Sequence, residues 1–74
     1  MVQPEDFTYP EEIKITDVVW LKDGDYMVGP LLVIDRRLIG YGSNRKFIWI
    51  MVDTNTNETY QSEGEWIRVP KRKR

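Results

Sequence analysis

A chain of 74 residues with no cysteine and no histidine excludes a disulfide framework and a thiolate or imidazole metal site, and it lacks the commonest general base. This length accommodates one small core, so the three Trp, four Tyr and two Phe are expected to supply much of its buried area. The net charge of −1 conceals a division, since residues 1–35 carry −6 and residues 36–74 carry +5; a fold either sets these on opposed faces or cancels them across strands.

Residues 1–12 show no periodicity, and Pro4 and Pro10 block a helix through them. They read as an arm, flexible or ordered on contact, whose Phe7 and Tyr9 dock on the rest of the chain. This acidic, proline-bearing start is unlike a signal peptide, and no apolar run approaches membrane-spanning length, so a cytoplasmic protein is expected. Thr16–Lys22 is rich in β-branched and aromatic residues and ends at the turn signal Asp23-Gly24-Asp25, which predicts a first strand. Gly29-Pro30 then punctuates the chain, and Leu31–Arg36 follows as a second strand. Gly40–Asn44 is a loop. Lys46–Val52 is the strongest strand signal, apolar on both faces as a central strand would be. Asp53–Asn57 is a polar turn, Glu58–Ser62 an exposed fourth strand, Gly64-Glu65-Trp66 a single tight turn, and Ile67–Pro70 a short last strand. The Asn57-Glu58-Thr59 glycosylation pattern reads as chance. The expected core is Val19, Leu21, Leu32, Ile34, Ile48, Ile50, Val52, Ile67 and Val69, with Phe47, Trp49 and Met51 competing for the inner face of the third strand.

Five short strands with one helical turn before the fifth resemble the SH3-like small barrel of KOW, Tudor and retroviral integrase C-terminal domains. Asp17-Val18-Val19-Trp20-Leu21-Lys22 is similar to the opening strand of KOW and Tudor domains, with Thr16 standing where that motif carries its first glycine. Gly29-Pro30-Leu31-Leu32-Val33 resembles the second strand of integrase-type barrels. The resemblance implies an all-β, five-stranded SH3-like antiparallel barrel over residues 13–70, flanked by the arm at 1–12 and a basic tail at 71–74. Stand-alone barrels of this size also resemble bacteriophage accessory proteins.

Catalysis is not expected. Without His or Cys, a nucleophile would depend on lysine or carboxylate as base, and the acidic pairs Asp23/Asp25 and Glu63/Glu65 fall in turns. Asp23-Gly24-Asp25 lacks the later ligands of a calcium loop, and Gly40-Tyr41-Gly42 lacks the third glycine and following helix of a dinucleotide fingerprint. No metal and no cofactor is expected. Two binding readings remain. In one, Trp20, Tyr26, Tyr60 and Trp66 form an aromatic groove for a protein partner, with the alternative that Trp20 instead closes a second small core with Phe7 or Tyr9. In the other, Arg36, Arg37, Arg45 and Lys46 form a basic patch around Tyr41, joined by the tail residues Lys71, Arg72, Lys73 and Arg74. That patch would contact nucleic-acid phosphates or an acidic protein surface.

Overall fold

The computed structural model describes residues 3–71. Within them every extended element joins one antiparallel sheet, and no helix exceeds a single 3-10 turn. The strands are β1 (Phe7–Thr8), β2 (Val18–Asp23), β3 (Tyr26–Ile39), β4 (Lys46–Val52), β5 (Thr59–Glu63) and β6 (Ile67–Pro70). Single turns occupy Pro4–Asp6, Gly42–Asn44 and Gly64–Trp66. Among the described residues no helix is long and apolar enough to cross a membrane.

The sheet order is β1-β6-β2-β3-β4-β5, and its ends do not pair with each other. Six strands rather than five result because the arm contributes one. Phe7 lies opposite Pro70 and Thr8 opposite Val69, and the Lys71 amide donates to the Asp6 carbonyl at 2.9 Å. The arm is thus tied to the last strand, the ordered-on-contact form of the expectation. Arg72, Lys73 and Arg74 lie outside the described residues.

β3 departs most from its expected length. It continues past Arg36 to Ile39, where it pairs with Lys46. Two ladder irregularities interrupt its pairing: between Val19 and Leu21 in β2, and between Val33 and Asp35 in β3. Bulges of this kind bend a strand and shift its phase.

The core is Val19, Leu31, Val33, Trp49, Met51 and Ile67, with Ile13, Leu21, Val28, Tyr60 and Val69 packed around it. Val19 and Ile67 were expected there. The phases of β3 and β4 are corrected: Leu31 and Val33 are buried in place of Leu32 and Ile34, and Trp49 and Met51 in place of Ile48, Ile50 and Val52. Every position of Leu31–Ile34 and Phe47–Val52 is apolar, so alternation sets no phase; pairing sets it, with Val33 opposite Met51, which places Trp49 and Met51 in the cluster with Val19, Leu31 and Ile67. Ile48, Ile50 and Val52 remain half-buried on the other face.

A second apolar cluster forms across the sheet. Phe7 is buried, and its ring lies 5.1 Å from that of Trp20. The indole also rests against Gly29, so close that a Cβ added there would sit 2.8 Å from Trp20 Cδ2. Beside this cluster Arg68 is buried. Its guanidinium donates to the carbonyls of Glu65 and Ile67 and lies 3.9 Å from the centre of the Tyr9 ring. Backbone acceptors and a π-face thus take the place of a carboxylate, as a buried cation requires.

Candidate functional site

Two surfaces gather the residues singled out by sequence. The first is the β3–β4 ribbon. Beyond the Val33 level it pairs Asp35 with Ile50, Arg36 with Trp49, Arg37 with Ile48, Leu38 with Phe47 and Ile39 with Lys46. Residues directly opposite share a face and neighbours along a strand alternate. One face therefore carries Arg36, Leu38, Phe47 and Trp49, and the other Asp35, Arg37, Ile39, Lys46 and Ile48.

That alternation divides the four cations expected to converge. The Arg36 guanidinium lies over Phe47 at 4.4 Å and near Trp49 at 5.6 Å, within cation–π range. Arg37, on the opposite face, has its Nε 3.7 Å from Asp35 Oδ2. Lys46 Nζ sits 2.6 Å from Glu63 Oε1 on β5. Arg45 folds back at the tip, its Nε donating to the Gly42 carbonyl at 3.1 Å. Tyr41 is 92% exposed. The tip depends on Gly40: its φ of 96° favours glycine, and a Cβ there would fall 2.5 Å from the Asn44 carbonyl oxygen. Lys71 is carried on the far side of the sheet, after β6.

The Lys46–Glu63 pair also sets a pH response. The hydrogen bond from Lys46, with its charge, holds the Glu63 carboxyl below its ordinary value of 4.5. The same contact raises Lys46 above its ordinary 10.5. A lowered carboxyl pKa stabilises the fold above 4.5, and that contribution is lost as pH falls through the lowered value; a raised lysine pKa stabilises below 10.5 and is lost as pH rises through the raised one. Wild type is therefore expected to melt slightly above Glu63→Gln at neutral pH, with the difference vanishing in strong acid. Both groups face water, so the effect is small. Thermal melts of the two proteins across the acid range check it, and a constant difference refutes it.

The second surface is a groove of about 350 Å³ at the β5 side. Leu21, Val28, Tyr60 and Trp66 supply its apolar lining, and Lys22 and Asp23 line it with opposite charges. Trp66 is 47% exposed because the single turn Gly64–Trp66 carries its ring outward. Of the four aromatics expected in a groove, Tyr60 and Trp66 come together here. Trp20 lies under Phe7 instead, which is the second-core alternative, and Tyr26 stands 73% exposed at the β2–β3 turn without lining the groove.

Sequence reasoning missed the exposed apolar residues of the ribbon: Leu38, Ile39 and Phe47, each 44–51% exposed. A signal was present. Arg36-Arg37-Leu38-Ile39 and Lys46-Phe47-Ile48-Trp49 flank one short loop with similar β-forming texture, so the hairpin extends symmetrically about it. Among the described residues no cluster of acids could hold a metal ion. Compared with known proteins, the chain matches no family model, no curated protein and no solved structure.

Proposed function

We infer that this chain is a non-catalytic binding module, an accessory factor that acts by contact with a protein. The observation that carries this reading is the groove between Tyr60 and Trp66. It has an aliphatic floor, a half-exposed tryptophan and a charged rim. Tryptophan and tyrosine beside aliphatic side chains are the residues that anchor protein interfaces, and such a groove suits an extended peptide. The ribbon adds Arg36, spread over Phe47, to the same apolar-aromatic-arginine chemistry.

The nucleic-acid reading is weakened by geometry. A phosphate grip requires convergent cations, whereas Arg36 and Arg37 face opposite ways and Arg37 and Lys46 each have a carboxylate neighbour. The SH3-like resemblance is supported by strand order, by the single turn before the last strand, and by Thr16. At the motif's glycine position Thr16 takes a φ of 79°, a conformation glycine adopts readily and a β-branched residue does not.

Panning a displayed peptide library against the protein tests this function. Selected peptides are expected to shift the amide resonances of Leu21, Val28, Tyr60 and Trp66, and to lose about tenfold or more in affinity with Trp66→Ala. Binding is expected to change little with salt, and single-stranded RNA and DNA are expected to bind no tighter than about 100 μM. Peptides that bind Trp66→Ala equally well would remove the groove from the site. Tight, salt-sensitive nucleic-acid binding would replace the protein partner altogether.

A further inference from the structure

Among the described residues, several stretches of the sheet leave backbone hydrogen-bonding groups without a neighbouring strand, and three of them differ in kind. β1, at one end, is two residues long and pairs with a strand that ends in Pro70. β5, at the other end, is polar in composition, Thr-Tyr-Gln-Ser-Glu. Both are the short or polar edges by which proteins avoid unwanted pairing. The third place is inside the strand order. β2 covers β3 only as far as Leu32. At Val33 the edge is closed by the loop before β2, where the Thr16 amide donates to the Val33 carbonyl and the Val33 amide donates to Asp17.

From Ile34 onward, the side of β3 turned away from β4 has no strand beside it among the described residues. This stretch has no proline and no covering element, and Ile34, Leu38 and Ile39 are each 44–51% exposed. At the Asp35–Arg37 level β5 still lies beside β4, and only at Leu38 and Ile39 is the ribbon two strands wide. Two strands alone are marginal in water.

We propose that the free edge of β3, Ile34–Leu38, pairs antiparallel with the same edge of a second copy of this chain. Charge complementarity within the segment selects the occupant. A two-fold axis perpendicular to the sheet makes the pairing isologous and requires paired residues to share a face. Centring it on Arg36 sets Asp35 opposite Arg37 of the second copy, twice, and Ile34 opposite Leu38, twice. In the single chain Asp35 and Arg37 lie on one face, 54% and 70% exposed and only loosely joined at 3.7 Å; Asp35 Oδ1 also accepts the Arg36 amide at 2.7 Å, a bond that pairing exchanges for contacts to the second copy. The two Arg36 residues meet at the axis, where like charges would repel. Each guanidinium is drawn away from it, over its own Phe47. Centring on Asp35 or on Arg37 would also set identical charges at the axis, and it would lose both ion pairs. The dimer joins β3, β4 and β5 of both copies into one sheet, six strands wide at the Asp35–Arg37 level, and leaves the Tyr60–Trp66 groove untouched.

Sedimentation equilibrium from about 1 to about 300 μM tests the pairing, with two single substitutions and their mixture. Wild type is expected to form a dimer. Asp35→Arg places arginine opposite arginine, and Arg37→Asp places aspartate opposite aspartate. Each is expected to weaken the dimer about tenfold or more, while near-ultraviolet circular dichroism reports the unchanged fold that exposed positions allow. Mixed in equal amounts, the two variants are expected to associate again, because each supplies the charge the other lacks. Trp66→Ala should dimerise as wild type does, which separates this surface from the groove. A wild type that stays monomeric throughout overturns the proposal and leaves the edge to a strand from another protein. A dimer that neither substitution weakens, or variants that do not recover on mixing, overturn it equally.

Discussion

Met51→Ala is expected to remove about 2–5 kcal/mol of stability, the usual loss for truncating a fully buried methionine. Ile50→Ala, one residue earlier, is expected to cost only about 1 kcal/mol, the centre of ordinary single-substitution effects. Met51 has no exposed surface and joins the cluster of Val19, Leu31 and Val33. Ile50 is half-buried on the opposite face, between Asp35 and Gln61. A domain of this size has only a few kcal/mol to lose, so Met51→Ala should be largely unfolded at room temperature. Urea denaturation of both variants is the measurement. Should Ile50→Ala prove the more costly, the phase of β4 is inverted and the assigned core is wrong.

Gly29→Ala is expected to cost about 1–3 kcal/mol, the range for forcing atoms into a filled site. The added methyl would lie 2.8 Å from Cδ2 and 2.9 Å from Cε3 of Trp20. The indole cannot retreat easily, because the Phe7 ring packs near it. Relief requires either rotating Trp20 or lifting β1 from β6. Amide exchange in Phe7 and Thr8 should therefore rise in the variant along with the loss of stability. Adding Trp20→Leu to Gly29→Ala should cost less than the sum of the two single changes, since the clash is then gone. Strict additivity of the two would show that glycine and indole do not meet.

The Gly29 contact illustrates what could be read before the fold was known. Gly29-Pro30 marks a break in any strand, yet nothing local says that the glycine is the seat of an indole nine residues earlier. Strand existence was legible wherever β-branched and aromatic residues clustered between turn signals. Lys46–Val52, Gly64–Trp66 and Ile67–Pro70 lie where their residues predict them, because turn chemistry at Asp53–Asn57 and Gly64 is a property of a few adjacent residues. The groove was legible in part, in the pairing of Tyr60 with Trp66.

By itself, the sequence determined an all-β, antiparallel chain built on aromatic and aliphatic burial, with no thiol or imidazole chemistry. Those properties follow from composition and from short-range backbone preference, which need no distant contact. Tertiary structure alone decided which face of each strand is inside. Leu31–Ile34 and Phe47–Val52 are apolar at every position, so alternation carries no phase there, and the choice fell to packing between β3 and β4 with bulges shifting the register. Tertiary structure also decided the fate of the charges. Arg36 and Arg37 are adjacent in sequence and so point to opposite faces of a strand. Lys46 and Glu63, seventeen positions apart, meet because β4 and β5 pair.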